Sequence, residues 1–396
     1  MDTQPVKQGS LFGGILLVAG CCIGAGMLGL PVLSAAAGFQ PSFFVFFVCW
    51  LFMVTTGLLL LEVNLWYGKE ISIITMAERT LGRYGKIATW SVFLFLFYSL
   101  MVAYIAASGS LVTDFIEQMT GAQIKAWIGS LMFCILFGGL IYMGTKAVDW
   151  FNRLLMLGLI LFYALLVVLG AKYVNPDLLK HRDWSAATWV IPAVIVSFGF
   201  HNLVPSLTTY MHGNIRSLKL IIIIGSVIPL FIYLMWEWLI LGIVPLSEFK
   251  LALDQGEIAT HALKNAVGFS WIVDIAEAFA FFAIITSFLS VALSFVDFLA
   301  DGLNVKKTPS GKIFLLALVL GPPFILALIY PTIFLMALNY AGGFGAVILF
   351  GILPALMVWK GRYYQHLPFA QIVPGGKPVL AIVILFAVWV IGLQFF

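Results

Sequence analysis

The chain has 396 residues, of which 62% are hydrophobic and only 10% are charged. A soluble protein carries about 25% charged residues because its surface must be hydrated, and 21 Lys and Arg with 17 Asp and Glu cannot cover such a surface. The composition therefore excludes a soluble enzyme, a nucleic-acid-binding protein and a disordered chain. It predicts an all-α polytopic protein embedded in a lipid bilayer, since long unbroken apolar runs favour helices over β-barrel strands.

Eleven membrane spans are predicted from apolar runs of about 20 residues between charged or Gly/Pro-rich breaks. Their bounds are 10–37, 41–66, 86–113, 124–143, 147–174, 187–210, 218–243, 271–299, 312–330, 341–359 and 378–396. The segments 71–79 and 251–264 look amphipathic and are expected at the surface. Residues 1–396 are therefore predicted to form a single transmembrane domain.

Basic residues predict the orientation, because short cytoplasmic loops of membrane proteins are enriched in Lys and Arg. With the N-terminus inside, segments such as 69–86 and 306–312 place most of the 21 Lys and Arg in the cytoplasm. Eleven spans then place the C-terminal residue, Phe396, on the opposite side.

The first span contains the glycine-rich stretch 20–31, in which Gly24, Gly26 and Gly29 formally match a dinucleotide-binding pattern. That pattern needs a preceding strand and an acidic residue about 20 positions later. Here the context is a membrane span and the next acid is Glu62, so we reject a nucleotide site. Two interpretations stay open: the glycines allow helices to pack closely, or the three glycines and Pro31 break the helix and line a cavity with free backbone groups.

The sixth span repeats this feature in the stretch 197–205, which contains Gly199 and Pro205. Interrupted segments at corresponding positions of two halves are typical of transporters built from inverted repeats. We predict five-span repeats over 10–174 and 187–359, with 378–396 appended as the eleventh span. Half-helix N-termini suit a carboxylate and half-helix carbonyls suit an ammonium or a cation, so the two breaks together favour a zwitterionic amino acid.

The eighth span carries a stripe of small and polar residues on one helix face. With Thr286 beside it, the stripe consists of Ala283, Ser287, Ser290, Ser294, Asp297 and Asp301. One interpretation is helix packing, with hydroxyls bonded to carbonyls one turn earlier. The other is that Thr286 and Ser287 supply oxygens to a cation or proton-linked site against the first span, and the sequence leaves both open.

Five stretches of the chain resemble the bacterial hydroxy and aromatic amino acid permease family, which belongs to the amino acid/polyamine/organocation superfamily. The stretches are 24–27 (GAGM), 197–201 (SFGFH), 210–216 (YMHGNIR), 286–289 (TSFL) and 337–342 (ALNYAG). They occur in the same order along nearly the whole chain, which is most similar to tyrosine-specific permeases within that family.

The resemblance implies the 5+5 inverted-repeat fold of the sodium-coupled leucine transporter, with an eleventh helix. A monomeric permease of the bacterial inner membrane is expected, and the basic residues predict a cytoplasmic N-terminus and a periplasmic C-terminus. The resemblance also implies import of tyrosine, with tryptophan as a second substrate, by symport with a cation, the proton rather than sodium. No cofactor is implied, no metal beyond a sodium ion and no enzyme activity; the spans carry no HExxH motif or usable Ser/His pair.

Carried over by position, the resemblance also implies site residues. The N–H groups of Gly24, Ala25 and Gly26 would bind the substrate carboxylate, and carbonyls near Cys22 and in the break formed by Phe198, Gly199 and Phe200 would bind its ammonium. The positions of a sodium site in related transporters correspond to Gly20, Ile23, Ala283, Thr286 and Ser287.

Side-chain selectivity is expected from aromatic and polarizable residues at mid-depth. These are Met27, Tyr98, Tyr104, Phe198, Phe200 and Phe281. Tyr98 and Tyr104 are favoured because a tyrosine hydroxyl at that depth needs a partner, and Asn339 and Tyr340 are expected along the outer route.

Proton coupling is expected from ionisable residues at membrane depth, which are costly to bury and are often functional. The candidates are Glu62, His201 and Glu237. Glu62 could instead be a gate or a packing contact to cytoplasmic loops, and His201 could bond the freed backbone of its break. Asp297 could serve simply to anchor the inner end of its helix, and Asp274 and Glu277 are expected at the outer mouth.

The sequence is also compatible with three alternative functions. The same fold could carry serine, threonine or tryptophan, the coupling ion could be sodium, or the chain could be a membrane sensor or channel without coupled transport.

Overall fold

A computed structural model describes residues 9–68, 71–266, 270–367 and 371–395. Within these ranges the chain is helical and contains no strand. Ten helices are long and apolar enough to cross a membrane, and a bent pair of shorter helices makes an eleventh span. The multi-pass membrane architecture is therefore confirmed, and the predicted number of eleven spans is reached when the bent pair is counted as one span. Lys69 and Phe396, which entered the prediction of orientation, lie outside the described residues.

The spans follow the predicted order with small shifts of their ends. In chain order they are Leu11–Cys22 with Gly26–Ser34, Phe39–Tyr67, Arg83–Thr120, Ala126–Met143, Thr145–Gly170, Ala186–Tyr210, Ile215–Ile243, Ser270–Gly302, Pro309–Ile329, Phe334–Tyr363 and Gly376–Gly392. The tenth span begins at Phe334 rather than at 341, because an α-helix runs directly into a π-helix over Ala341–Ile352.

Short amphipathic helices join some of the spans. Helix Ile73–Leu81 buries Ile73, Met76, Ala77 and Thr80 on one face, as helical spacing requires. The predicted segment 251–264 is instead divided between the helices Leu246–Gln255 and Ala259–Ala266. The division falls at Gly256, whose φ of +64° is a conformation that glycine adopts without steric cost.

The two interrupted spans are packed at the centre of the molecule. The first half-helix (Leu11–Cys22) packs along the seventh span, and the second half-helix (Gly26–Ser34) packs on the sixth span. The sixth span also packs on the π-helical part of the tenth, and the eighth span packs on the third and fifth. This arrangement brings the first, sixth, seventh and eighth spans together around the two interruptions, while the 5+5 repeat stays a prediction.

Candidate functional site

The first span is interrupted at residues 23–25, which we call the first break. The two half-helices on either side of it are bent by 55°, and Ile23 is extended, with φ −76° and ψ 108°. Gly29 and Pro31 lie inside the second half-helix, so the expectation that they contribute to the break is wrong. Pro31 has no N–H group to donate to the Met27 carbonyl one helical turn earlier. The Trp236 indole N–H donates to that carbonyl instead, at 2.9 Å, and this bond accommodates the proline within the helix.

The glycines of the first span serve close approach rather than unusual backbone angles. Neither Gly24 nor Gly26 has a positive φ. A Cβ at Gly24 would clash with the Ser287 hydroxyl of the eighth span, and one at Gly26 would lie 2.8 Å from Ser197 Oγ of the sixth. These contacts agree with the packing interpretation, and the interruption of the span at residues 23–25 agrees with one part of the other interpretation, that the helix is broken.

The first break exposes backbone donors. Ala25 N–H donates to Ser287 Oγ at 2.8 Å, whereas the Gly24 N–H has no acceptor among the described residues. Gly26 opens the second half-helix, and the first N–H groups of a helix have no intrahelical acceptor. The residues predicted to bind a carboxylate thus present donors at one point.

The sixth span is interrupted at residues 198–199, the second break, but in a different way. Helix Ile191–Ser197 continues through a 3-10 turn, Phe200–Leu203, into helix Val204–Tyr210. The N–H groups of Phe198 and Gly199 donate to carbonyls of the preceding helical turn. The Gly199 carbonyl accepts from the Cys21 thiol, at 3.9 Å. The second break therefore offers carbonyl oxygens rather than N–H donors.

The seventh span supplies two residues that the sequence analysis missed. The Tyr233 hydroxyl lies 2.6 Å from the Cys22 carbonyl and 2.8 Å from the Ser197 carbonyl, so it joins the two breaks. Trp236 reaches the second half-helix through Met27. Tyr233, Trp236 and Glu237 are spaced by three and four, and this polar face on an otherwise apolar helix was the available signal.

The residues of the eighth-span stripe differ in their hydrogen-bond partners. Ser290 and Ser294 donate to carbonyls one turn earlier, and Thr286 donates to the Phe282 and Ala283 carbonyls, as in the packing interpretation. Ser287 instead faces the first break.

Tyr104 of the third span also lies beside Ser287, and its buried hydroxyl interacts with that residue. The Ala283 carbonyl would lie 3.9 Å from a Cβ at Gly24, and Gly20 faces Met156 of the fifth span. Oxygens of Ala283, Thr286 and Ser287 are thus grouped beside Gly24, while Gly20 lies one helical turn earlier.

The aromatic residues predicted to confer selectivity fall into two groups. Met27, Phe198 and Phe200 are fully buried at the breaks, and the Phe198 ring packs edge-on against Tyr233 with centroids 5.1 Å apart. Tyr98 lies elsewhere, because its hydroxyl donates to the Leu318 carbonyl of the ninth span. Phe281 is 36% exposed and its ring contacts Phe282.

The three ionisable residues at depth have different surroundings. Glu62 accepts two bonds of 2.6 Å from Arg362 and one of 2.8 Å from the Ile372 N–H, which fits a packing contact between the second and tenth spans. His201 Nε2 lies 2.9 Å from Thr56 Oγ1, so it bonds the second span and not the freed backbone. Glu237 is fully buried and has one partner, Ser34 Oγ at 2.5 Å, while its Oε1 has none.

Other charged residues lie near the ends of the spans. Asp297 pairs with Lys307 at 2.6 Å, as an anchor of its helix would. Glu277 pairs with Lys264 at 3.1 Å, and Asp274 is exposed. Burial lowers the pKa of Lys264, but the hydrogen bond and charge of Glu277 and the charge of Asp114 outweigh this effect and raise the pKa above its usual value.

A cavity lies at each end of the sixth span. One, of about 400 Å³, is lined by Pro192 together with Leu33, Asn339 and Tyr340, among others. The other, of about 390 Å³, is lined by Ile71, Ser72, Pro205, Ser206 and Thr209.

Comparisons with known proteins cover nearly the whole chain. Residues 7–394 match the family model described as the tryptophan/tyrosine permease family. The tyrosine-specific transport system 1 of Haemophilus influenzae is 32% identical over 393 residues, which cover 97% of this chain and 96% of that protein. The tryptophan-specific transport protein of the same organism is 32% identical over 398 residues, with 96% and 94% covered. The low affinity tryptophan permease of Escherichia coli K12 is 30% identical over 407 residues, with 99% and 96% covered.

Proposed function

The chain belongs to the tryptophan/tyrosine permease family, which makes it a transport protein and not an enzyme, and we propose that it imports tyrosine by symport with protons. Tryptophan is the second substrate of this proposal. Relatives named for tyrosine and for tryptophan transport support an aromatic substrate, and their bacterial origin supports the inner membrane as the location.

One observation carries the proposal. The first break presents the Gly24 and Gly26 N–H groups, and the Tyr233 hydroxyl ties the Cys22 carbonyl to the Ser197 carbonyl beside the second break. Donors at the start of a half-helix attract a carboxylate, and carbonyls at the end of the other half-helix attract an ammonium. Donors and acceptors that lie side by side in a membrane interior suit a zwitterionic amino acid.

The transport cycle of this proposal is alternating access. The first and sixth spans would move against a scaffold that includes the third and eighth, within two inverted five-span repeats, and the N-terminus would be cytoplasmic. The cavities at the Pro192 and Pro205 ends of the sixth span would be the two approaches to the site. A monomer is sufficient for this cycle, because both breaks belong to one chain.

Glu237 is the proton carrier of this proposal. Glu62 forms an ion pair with Arg362, whereas the partner of Glu237 is the Ser34 hydroxyl. Keeping a buried carboxylate ionised without a neighbouring cation costs free energy. Charged groups on the elements packed against the seventh span have other environments. Lys146 is exposed, Asp149 pairs with Arg153, Asp177 with Lys180, Lys172 lies over Tyr173 and Trp271, and His261 and Lys264 lie near Asp114. A proton is then the available counter-charge for Glu237.

The proposed function is tested with purified protein in liposomes and radiolabelled tyrosine. An imposed proton gradient, inside alkaline, should drive accumulation, and a sodium gradient alone should not. Unlabelled tryptophan should compete, while serine and threonine should not. Accumulation driven by sodium alone would replace the proton in this mechanism, and tyrosine accumulation under neither gradient would refute symport.

Glu237→Gln tests the proton carrier. A glutamine keeps the size and the bond to Ser34 but carries no exchangeable charge, so accumulation driven by the proton gradient should fall to the level without a gradient. Exchange of external for internal tyrosine should continue, because it needs no net proton movement. Asp274→Asn, the same chemical change at an exposed carboxyl group, should leave both activities unchanged. Full proton-driven accumulation by Glu237→Gln would exclude Glu237 as the carrier.

A further inference from the structure

The Tyr233 side chain is held rigidly between the two breaks. It is fully buried, and its ring packs edge-on against Phe198 and against Phe46 of the second span, at 5.1 and 6.4 Å between centroids. These contacts fix the hydroxyl beside the Cys22 and Ser197 carbonyls, at 2.6 and 2.8 Å.

The cluster formed by the Tyr233 hydroxyl and the Cys22 and Ser197 carbonyls has fewer hydrogen-bond donors than acceptors. A tyrosine hydroxyl has a single hydrogen to donate, yet it lies within hydrogen-bond distance of two carbonyls. Neither carbonyl accepts a backbone N–H among the described residues. Three oxygens therefore share one hydrogen, and the cluster can accept a further donor such as an ammonium.

The carbonyls need a donor in the empty protein as well as in the loaded one. In the interior of a membrane protein no bulk water satisfies a carbonyl, and an unpaired one is costly. When an amino acid is bound, its ammonium can donate to both carbonyls. When no amino acid is bound, the Tyr233 hydroxyl, at 2.6 and 2.8 Å from the two carbonyls, is close enough to donate to them.

Resting on the proposed function, we infer that the Tyr233 hydroxyl stands in for the substrate ammonium in the empty carrier. It thereby stabilises the empty site while the carrier returns to collect another substrate. Tyr233 is in this role a positioning residue that acts through the Cys22 and Ser197 carbonyls. Net uptake requires the empty carrier to return, whereas exchange requires only the loaded carrier, so the two activities should depend on this hydroxyl differently.

The test compares Tyr233→Phe with Tyr163→Phe in liposomes. Tyr163 is the matched control because its hydroxyl also donates to a carbonyl of the seventh span, that of Ile232 at 2.9 Å, while its ring packs against Phe279 of the eighth span. For Tyr233→Phe, the ratio of net uptake to exchange should fall roughly tenfold. Its KM for tyrosine in exchange should fall too, because the substrate then relieves two unpaired carbonyls. Tyr163→Phe should keep the wild-type ratio.

A second variant separates the proposal from a general loss of structure. Tyr233→His retains a ring donor at a similar depth and should restore part of the net uptake. A parallel loss of net uptake and exchange in Tyr233→Phe would overturn the inference, as would absent exchange in both Tyr233 variants while Tyr163→Phe is active. A wild-type protein that neither accumulates nor exchanges tyrosine would instead refute the proposed function itself.

Discussion

The two breaks have opposite roles in the proposed function, and they are built differently. The first break bends its span by 55° and presents N–H donors to the centre of the molecule. The second keeps its span continuous through a 3-10 turn, satisfies its own N–H groups and presents carbonyls. The difference suggests that the first break is the adaptable part of the site and the second a fixed reference, with Tyr233 connecting them.

Side chains reinforce the rigidity of the second break. The His201 ring stacks between Phe200 and Phe350, with centroids 4.8 and 4.7 Å away, and its Nε2 is bonded to Thr56 of the second span. The first break has no comparable aromatic stack at its own residues, and a single bond joins Ala25 to Ser287. The variants below test this contrast.

Gly26→Val should have the largest effect, because it fills the first break. The new Cβ would lie 2.8 Å from Ser197 Oγ and 3.6 Å from Ser197 Cβ, and the branched side chain would cover the N–H groups that we propose bind the carboxylate. Tyrosine binding and uptake should be abolished, while the protein still inserts into the membrane and purifies. Binding is measured by scintillation proximity and insertion by yield and elution profile.

Gly139→Val is the control for this substitution, since nothing lies within 4 Å of a Cβ at Gly139 in the fourth span. It should bind tyrosine as the wild type does. Wild-type uptake by Gly26→Val would remove the first break from the substrate site.

The positions of both breaks could be predicted from the sequence, but not their structures. Glycines and prolines in otherwise apolar spans mark where a helix can be interrupted, and Gly24, Gly26 and Gly199 all lie at or beside a break. Gly29 and Pro31 show the limit of that pattern. Whether a proline interrupts a helix depends on a donor from elsewhere in the fold, here Trp236.

The third span illustrates what helical spacing can and cannot decide. Tyr98 and Tyr104 are six residues apart, about 1.7 turns of a helix, so they point to different neighbours. The expectation that both line one site did not take this spacing into account, and only the packing determines that Tyr104 meets Ser287 and that Tyr98 meets Leu318. Tyr233 was missed for the same reason, because its two carbonyl partners belong to distant parts of the chain.

Thr56→Val should have an intermediate effect, on stability rather than on recognition. Valine matches the shape of threonine but leaves both nitrogens of buried His201 without a partner, since Nδ1 already has none. We expect a loss of about 1–3 kcal/mol in the free energy of unfolding, seen as a lower melting temperature in detergent, with little change in the KM of exchange.

Thr55→Val provides the comparison, because the Thr55 hydroxyl bonds only the Leu51 carbonyl of its own helix. It should melt close to the wild type. If Thr56→Val raised the KM strongly without lowering the melting temperature, the second break would be a recognition element and not a fixed support.

Ser287→Ala should have the smallest effect and resolves the role of the first break most finely. It removes the acceptor of the Ala25 N–H at 2.8 Å, and one such hydrogen bond contributes about 1 kcal/mol. Because Ala25 would then be one more unpaired donor facing the substrate carboxylate, the KM for tyrosine should change by no more than about fivefold. Ser290→Ala, one turn away and bonded to the Thr286 carbonyl, should leave the KM unchanged.

In proton-driven uptake Ser287→Ala should keep its dependence on pH, whereas a carrier coupled to sodium through Ala283, Thr286 and Ser287 would lose its ion dependence with this single hydroxyl. The same variant thus distinguishes a backbone support at the first break from a cation ligand.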